Sequence, residues 1–194
     1  MIKENSSSIC VVGNAGSLLN KSVGELIDKH AVVIRFNNYC SDESLQKQCG
    51  KNIDVWVKSP DFHETDKLLD VDVGWTIISG PDVCYTMSDW SRVKLTLEKG
   101  GKVLTPPLTL WQDLVKILKA PPTAGLLIIM WIIQLTGKSD GLSVAGFQSF
   151  SDIEQEQYHH SSAAHKAGAR HNWQEEKRLL RAWQKDGLSF LDRL

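Results

Sequence analysis

The chain has 194 residues, 42% of them apolar and 23% charged, with a net charge of −1. That length suits one compact domain, here taken as residues 1–194, with a full-sized core. The balanced charge gives no electrostatic case for nucleic acid, or for anionic lipid as the main partner. The polar start, Met1 to Ser8, lacks the apolar segment of a signal peptide. The most apolar run, Ala124 to Leu135, is too short to span a bilayer and reads as a buried helix. These features lead us to expect a cytoplasmic protein of bacterial type. Cys10, Cys40, Cys49 and Cys84 stand far apart with no CxxC, so neither a disulfide nor a cysteine zinc site is expected.

Ile9 to Val12 is a short apolar run ending in glycine, read as a buried strand. Leu18, Leu19, Val23, Leu26 and Ile27 follow at helical spacing, and Ala31 to Phe36 reads as a second strand. This is a β-α-β unit, which implies parallel strands. Further strands are expected at Ile53 to Val57, Trp75 to Ile78, Val103 to Thr105 and Leu142 to Ala145. Helices are expected at Phe62 to Leu69, Trp90 to Glu98, Leu108 to Leu118 and Ala124 to Thr136. The alternation predicts an α/β fold, a single-domain Rossmann-like parallel sheet with helices on both faces. Residues 149–170, rich in Ser, Gln, Glu, His and Ala, read as a long mobile lid loop. A last amphipathic helix runs from about Trp173 to Lys185.

Four places could hold chemistry. Gly13-Asn14-Ala15-Gly16 follows the first strand, where glycines let backbone approach a ligand and Ser17 could cap the next helix. A plain tight turn explains it as well. Asn37, in Arg35-Phe36-Asn37-Asn38, ends the second strand, at the sheet rim where ligands of open parallel sheets bind. Asn14 and Asn37 could read a ribose or a cytosine edge, or simply form turns. In Pro121-Pro122-Thr123-Ala124-Gly125, Thr123 is a natural N-cap, and the N–H groups of Ala124 and Gly125 could hold a phosphate. A capped core helix is the alternative. In His171-Asn172-Trp173-Gln174-Glu175-Glu176, Asn172 and Glu175 read as a capping box. His171 then precedes a helix N-terminus, where the dipole keeps imidazole neutral, as a general base requires. An ordinary surface histidine is equally compatible. His159, His160, His165 and His171 could also be read as a metal cluster, but the segment looks too loose for fixed ligands. Asp70-Val71-Asp72 has the DxD form of metal-dependent sugar transferases, yet reads better as a solvated turn.

Together these segments resemble the ordered motifs of the sialyltransferase family, glycosyltransferase family 29. Cys10-Val11-Val12-Gly13-Asn14-Ala15-Gly16 and Val33-Ile34-Arg35-Phe36-Asn37 are similar to its large motif. Pro122-Thr123-Ala124-Gly125-Leu126-Leu127 and Val144-Ala145-Gly146-Phe147 are similar to its small motif. His159-His160 resembles the third motif without its aromatics, and His171 with Glu176 matches His-x4-Glu. The cysteine pair of animal members is broken: Cys10 has its position, while Ser139 stands in the second, as suits a reducing cytoplasm. Ala124 stands where a hydroxyl residue is common.

The resemblance implies a GT-A-like variant of the fold and an inverting transfer, without metal or cofactor. The sugar moved would be a sialic acid or related ulosonic acid, from a CMP-sugar to a glycan acceptor. In that scheme His171 takes the acceptor proton, and His159 or His160 serves the leaving phosphate. Gly13, Asn14, Asn37, Thr123, Ala124 and Gly125 bind the nucleotide, and Glu176 fixes local geometry. CMP-Kdo is an alternative donor, with lipopolysaccharide or capsule synthesis as the setting. A lipid-linked acceptor and peripheral membrane contact are compatible with the chain. A non-catalytic nucleotide-binding relative is a competing reading. An NAD(P) oxidoreductase is a weaker one, because Arg35-Phe36-Asn37 stands where a ribose-binding acid belongs.

Overall fold

The computed structural model describes residues 8–39, 42–60, 73–84, 86, 90–147, 158–159, 162–166 and 170–193. A sheet of seven parallel strands is assembled from β1 (Ile9–Val12), β2 (Val32–Phe36), β3 (Val55–Lys58), β4 (Trp75–Ile78), β5 (Lys102–Leu104), β6 (Leu142–Ala145) and β9 (Ser189–Phe190). Their order is β5-β4-β3-β2-β1-β6-β9. The chain therefore steps outward from β1 to one edge, then returns to place β6 on the other side of β1. The reversal lies between β1 and β6, with Val11 beside Val144 and Val12 beside Ala145. Beyond the carboxyl ends of such a pair the diverging connections open a crevice.

The helices are α1 (Gly24–Asp28), α2 (Gln46–Cys49), α3 (Pro81–Cys84), α4 (Ser91–Glu98), α5 (Leu108–Leu118), α6 (Ala124–Thr136) and α7 (Trp173–Lys185). Strand side chains alternate between the faces, so each face has its own core. Val11, Ile34, Val57, Ile77 and Val144 pack with α5, α6 and α7. Cys10, Val12, Val33 and Ala145 pack with Leu18, Ile27 and Cys49 on the opposite face. Leu126, Leu127, Ile128 and Ile129 are all buried, so α6 begins enclosed on every side rather than riding on one apolar stripe. Arg35 is 1% exposed and straps β2 to the α2 region, donating from Nε to Asn52 O (2.7 Å) and from Nη2 to Cys49 O (2.8 Å).

Two expectations are corrected. The single helix expected through Leu18 and Ile27 is a 3-10 turn at Gly16–Asn20 followed by the short α1. Gly24, the first residue of α1, meets α2 so closely that a Cβ would lie 2.0 Å from Gln46 O, so this position requires glycine. The 3-10 turn has Ala15, not Ser17, at its N-cap position, with no side-chain cap bond. Within the segment 149–170 read as a lid loop, β7 (Tyr158–His159) and β8 (Ser162–Lys166) pair antiparallel, and the rest of that segment, Arg170 aside, lies outside the described residues. Strand β9 was not expected, since two residues carry too little alternation to read. The helix expected at Phe62 to Leu69, with Asp70, Asp72, Cys40 and His160, lies outside the described residues.

Candidate active site

At the β1–β6 reversal the two turns touch. Gly13 N donates to Ala145 O (2.8 Å) and Ala15 N to Gly146 O (3.0 Å). A Cβ on Gly13 would sit 2.3 Å from Gly146 O, so this approach requires glycine. Gly146, at φ 70°, also occupies the left-handed region. The next residue, Phe147, lies against the start of α6, where a Cβ on Gly125 would come within 2.6 Å of its ring. Phe147 thus joins the β1 turn to the α6 N-terminus at one end of the sheet.

Asn14 crosses from β1 to β2, its Nδ2 donating to Phe36 O (3.0 Å). Among the described residues its buried Oδ1 has no hydrogen-bond partner, and the same holds for Asn38 Oδ1. A buried acceptor left open costs on the order of 1–3 kcal/mol, so a donor from a ligand would have a place here. Asn37 is different. It adopts φ 42°, its Oδ1 accepts from Ser59 N (2.9 Å), and its backbone O accepts from Trp56 Nε1 (2.9 Å). Its carbonyl oxygens tie β2 to β3, which favours the turn-forming role and leaves Nδ2 as its remaining group. Ser59 and Asn38 were not singled out from sequence. Unpaired Oδ1 atoms and a partner 22 residues away leave no local pattern.

The α6 and α7 N-termini are clamped together. Glu176, 1% exposed, accepts from Thr123 N at Oε1 (2.7 Å) and from Thr123 Oγ1 at Oε2 (2.8 Å). Thr123 Oγ1 in turn accepts from Leu126 N (3.1 Å), which makes it the N-cap of α6. Both donors of Thr123 are therefore committed, and what this helix start offers an anion is the pair Ala124 N and Gly125 N. Burial pushes the Glu176 carboxyl up to about 7, against the opposing pull of the two Thr123 bonds. Asn172 caps α7, its Oδ1 accepting from Glu175 N (3.3 Å), while its Nδ2 donates to Leu118 O (2.9 Å).

His171 stands just before that cap. Its Nδ1 is 2.9 Å from Pro121 O, and a carbonyl can only accept. The proton of the neutral ring is therefore on Nδ1, and the Nε2 lone pair is available to take another. Burial is the largest cause holding the imidazole below its ordinary pKa, with a smaller push from Arg170; the Pro121 bond acts the other way. The Trp173 ring meets it edge-on, centroids 5.6 Å apart. His159 is placed only by its backbone in β7. Cys10 is no rival nucleophile: burial pushes its thiol up to about 12. Its neighbour in the β6 register is Ser143, while Ser139 donates to Asp186 O (2.6 Å).

The profile of glycosyltransferase family 29 (sialyltransferase) matches residues 2–68. The matched stretch holds the Gly13-Asn14 turn and Asn37; Thr123, His171 and Glu176 lie beyond it. The Arabidopsis thaliana beta-1,6-galactosyltransferase GALT29A is 43% identical over 58 residues, 29% of this chain and 14% of that protein. The chain thus matches a small part of that relative's length. By fold, a mammalian sialyltransferase in complex with Gal-beta-1-3GalNAc-ortho-nitrophenol aligns at a TM-score of 0.67 and 15% identity, covering 94% of this chain and 68% of that one. The Campylobacter jejuni sialyltransferase CstII, in complex with a substrate analogue, cytidine-5'-monophosphate, aligns at 0.54 and 11% identity, covering 94% and 78%. The chain therefore has the fold of these sialyltransferases over nearly its whole length, as its motifs led us to expect.

Proposed function

We propose that this chain is a family 29 inverting glycosyltransferase that moves an ulosonic acid from a CMP-sugar to a glycan hydroxyl. The observation that carries the reading is the Nδ1 bond of His171 to Pro121 O, which presents a neutral ring with a basic Nε2. The Glu176–Thr123 clamp sets that ring beside the start of α6. In the proposed reaction the acceptor oxygen attacks the anomeric carbon from the face opposite the phosphate. The C–O bond to CMP breaks as the new C–O bond forms, and the hydroxyl proton passes to Nε2. Ala124 N and Gly125 N take up the charge that grows on the phosphate, with His159 or His160 as a further donor. Asn14 Oδ1 accepts from the nucleoside. The monophosphate leaves as a stable anion, so the scheme calls on no metal and no cofactor.

A second reading is galactosyl transfer, favoured by the name of the Arabidopsis relative. One assay separates the two. The protein is incubated with CMP-sialic acid, CMP-Kdo or UDP-galactose, and slow release of free nucleotide to water is followed. We expect CMP release from a CMP-sugar, undiminished by EDTA. UDP release alone would establish the second reading. Loss in EDTA restored by Mn²⁺ would bring in Asp70 and Asp72. Nucleotide binding without any release would mark a non-catalytic relative.

A further inference from the structure

Helix α7 buries Glu176 and Leu180, and packs Leu179 and Trp183 against the core. At 3.6 residues per turn, its cations Lys177, Arg178, Arg181 and Lys185, with Gln174, all fall within a sector of roughly 100° on the outward side. These residues, with Ala182 and Asp186, line an open groove. Arg178 lies at one edge of the sector, in contact with Glu175 (Nε–Oε2 2.8 Å). Lys177, Arg181 and Lys185 form its body, a row about 12 Å long at 1.5 Å per residue. The foot of this row is anchored to the loop that follows α6 by the Ser139 Oγ to Asp186 O bond. The exposed Lys138 and Leu135, the latter 71% exposed, therefore lie at the same end of the molecule.

We propose that this face of α7 docks on an anionic membrane surface. A chain of net charge −1 has no general attraction to acidic lipids, so the attraction would act through this one sector. Aligned Lys and Arg side chains meet a plane of phosphate headgroups over their full length, and Leu135 adds an apolar group that headgroups can admit. A soluble polyanion would satisfy the cations but offer nothing to Leu135. Lying flat, α7 keeps its first turn, with His171 just before it, at the membrane rim, where a membrane-borne acceptor would meet it. The docking does not depend on which donor is used.

The test is flotation of the whole chain with vesicles of phosphatidylcholine alone or with about 30% phosphatidylglycerol. Binding is expected only to the anionic vesicles, and it should vanish at about 0.5 M salt. Lys177→Gln/Arg181→Gln/Lys185→Gln should weaken it on the order of 100-fold, with an unchanged melting temperature and unchanged nucleotide release. The single change Lys185→Glu provides a milder arm. Leu135→Ser should weaken vesicle binding but leave retention on heparin unaltered. Lys21→Gln/Lys29→Gln/Lys51→Gln, on the opposite side of the sheet, should have little effect. Equal binding to neutral vesicles, an equal loss in the opposite-side variant, or retention on heparin with no vesicle binding would each overturn the proposal.

Discussion

His171 is the residue on which the chemical reading turns. Its place before a helix could be read from the sequence, because Asn172 is a capping residue followed by an acidic turn. In the sequence only the helix dipole favours a neutral ring. Folding adds burial as the leading cause, and an oriented tautomer through Pro121, 50 residues away. Contacts at that separation leave no trace in local pattern. His171→Ala should lower the rate of transfer by about 10²-fold or more and leave CMP affinity nearly unchanged, measured by turnover and by nucleotide titration. In the unaltered protein kcat/KM should hold level with falling pH to below 6.5, because the folded imidazole takes its proton less readily than a free one. An acid limb centred above 6.5 would contradict this. The asparagines divide differently. Asn14 keeps an open acceptor, while most of what Asn37 offers is committed to β3.

At the scale of elements, the apolar periods placed α5, α6 and α7 well, since each must bury a broad apolar surface against the sheet. The residues at Leu18 to Ile27 have the same spacing but form two short pieces, the second of which starts at Gly24, where only glycine admits the backbone of α2. What joins α6 to α7 is a buried carboxylate, and this has a measurable consequence. The Glu176 carboxyl is raised from an ordinary 4.5 to about 7, so the folded chain holds its proton more tightly than the unfolded chain. The stability it contributes is therefore fully present below about 4.5 and is lost as pH rises through about 7. Glu176→Gln removes that dependence. The melting temperature of the unaltered protein relative to this variant should be highest in acid and should decline across that window. A difference that stays constant with pH would place the carboxyl elsewhere or ionise it throughout.

For the whole molecule, the strand order has the clearest functional meaning. It brings Gly13, Gly146, Phe147 and Gly125 to one rim, so the shape of that rim is a property of the entire fold. Saturation with CMP at 100 times its dissociation constant should add about 2.7 kcal/mol, a rise of roughly 5–10 °C in melting temperature for a chain of this size. UMP, GDP and NADH should give smaller shifts; a larger shift with UMP would favour the galactosyl reading. The sequence by itself determined the parallel α/β class, the bounds of most strands and long helices, and the glycine turn. Those depend on periodicity and on short-range backbone chemistry. It did not contain β9 in readable form, nor the commitment of Thr123 to Glu176, 53 residues away. It also made anionic lipid an unattractive main partner on net charge. Only the burial of one side of α7 decided that four of its cations point outward together, because composition counts charges whereas packing gives them a direction.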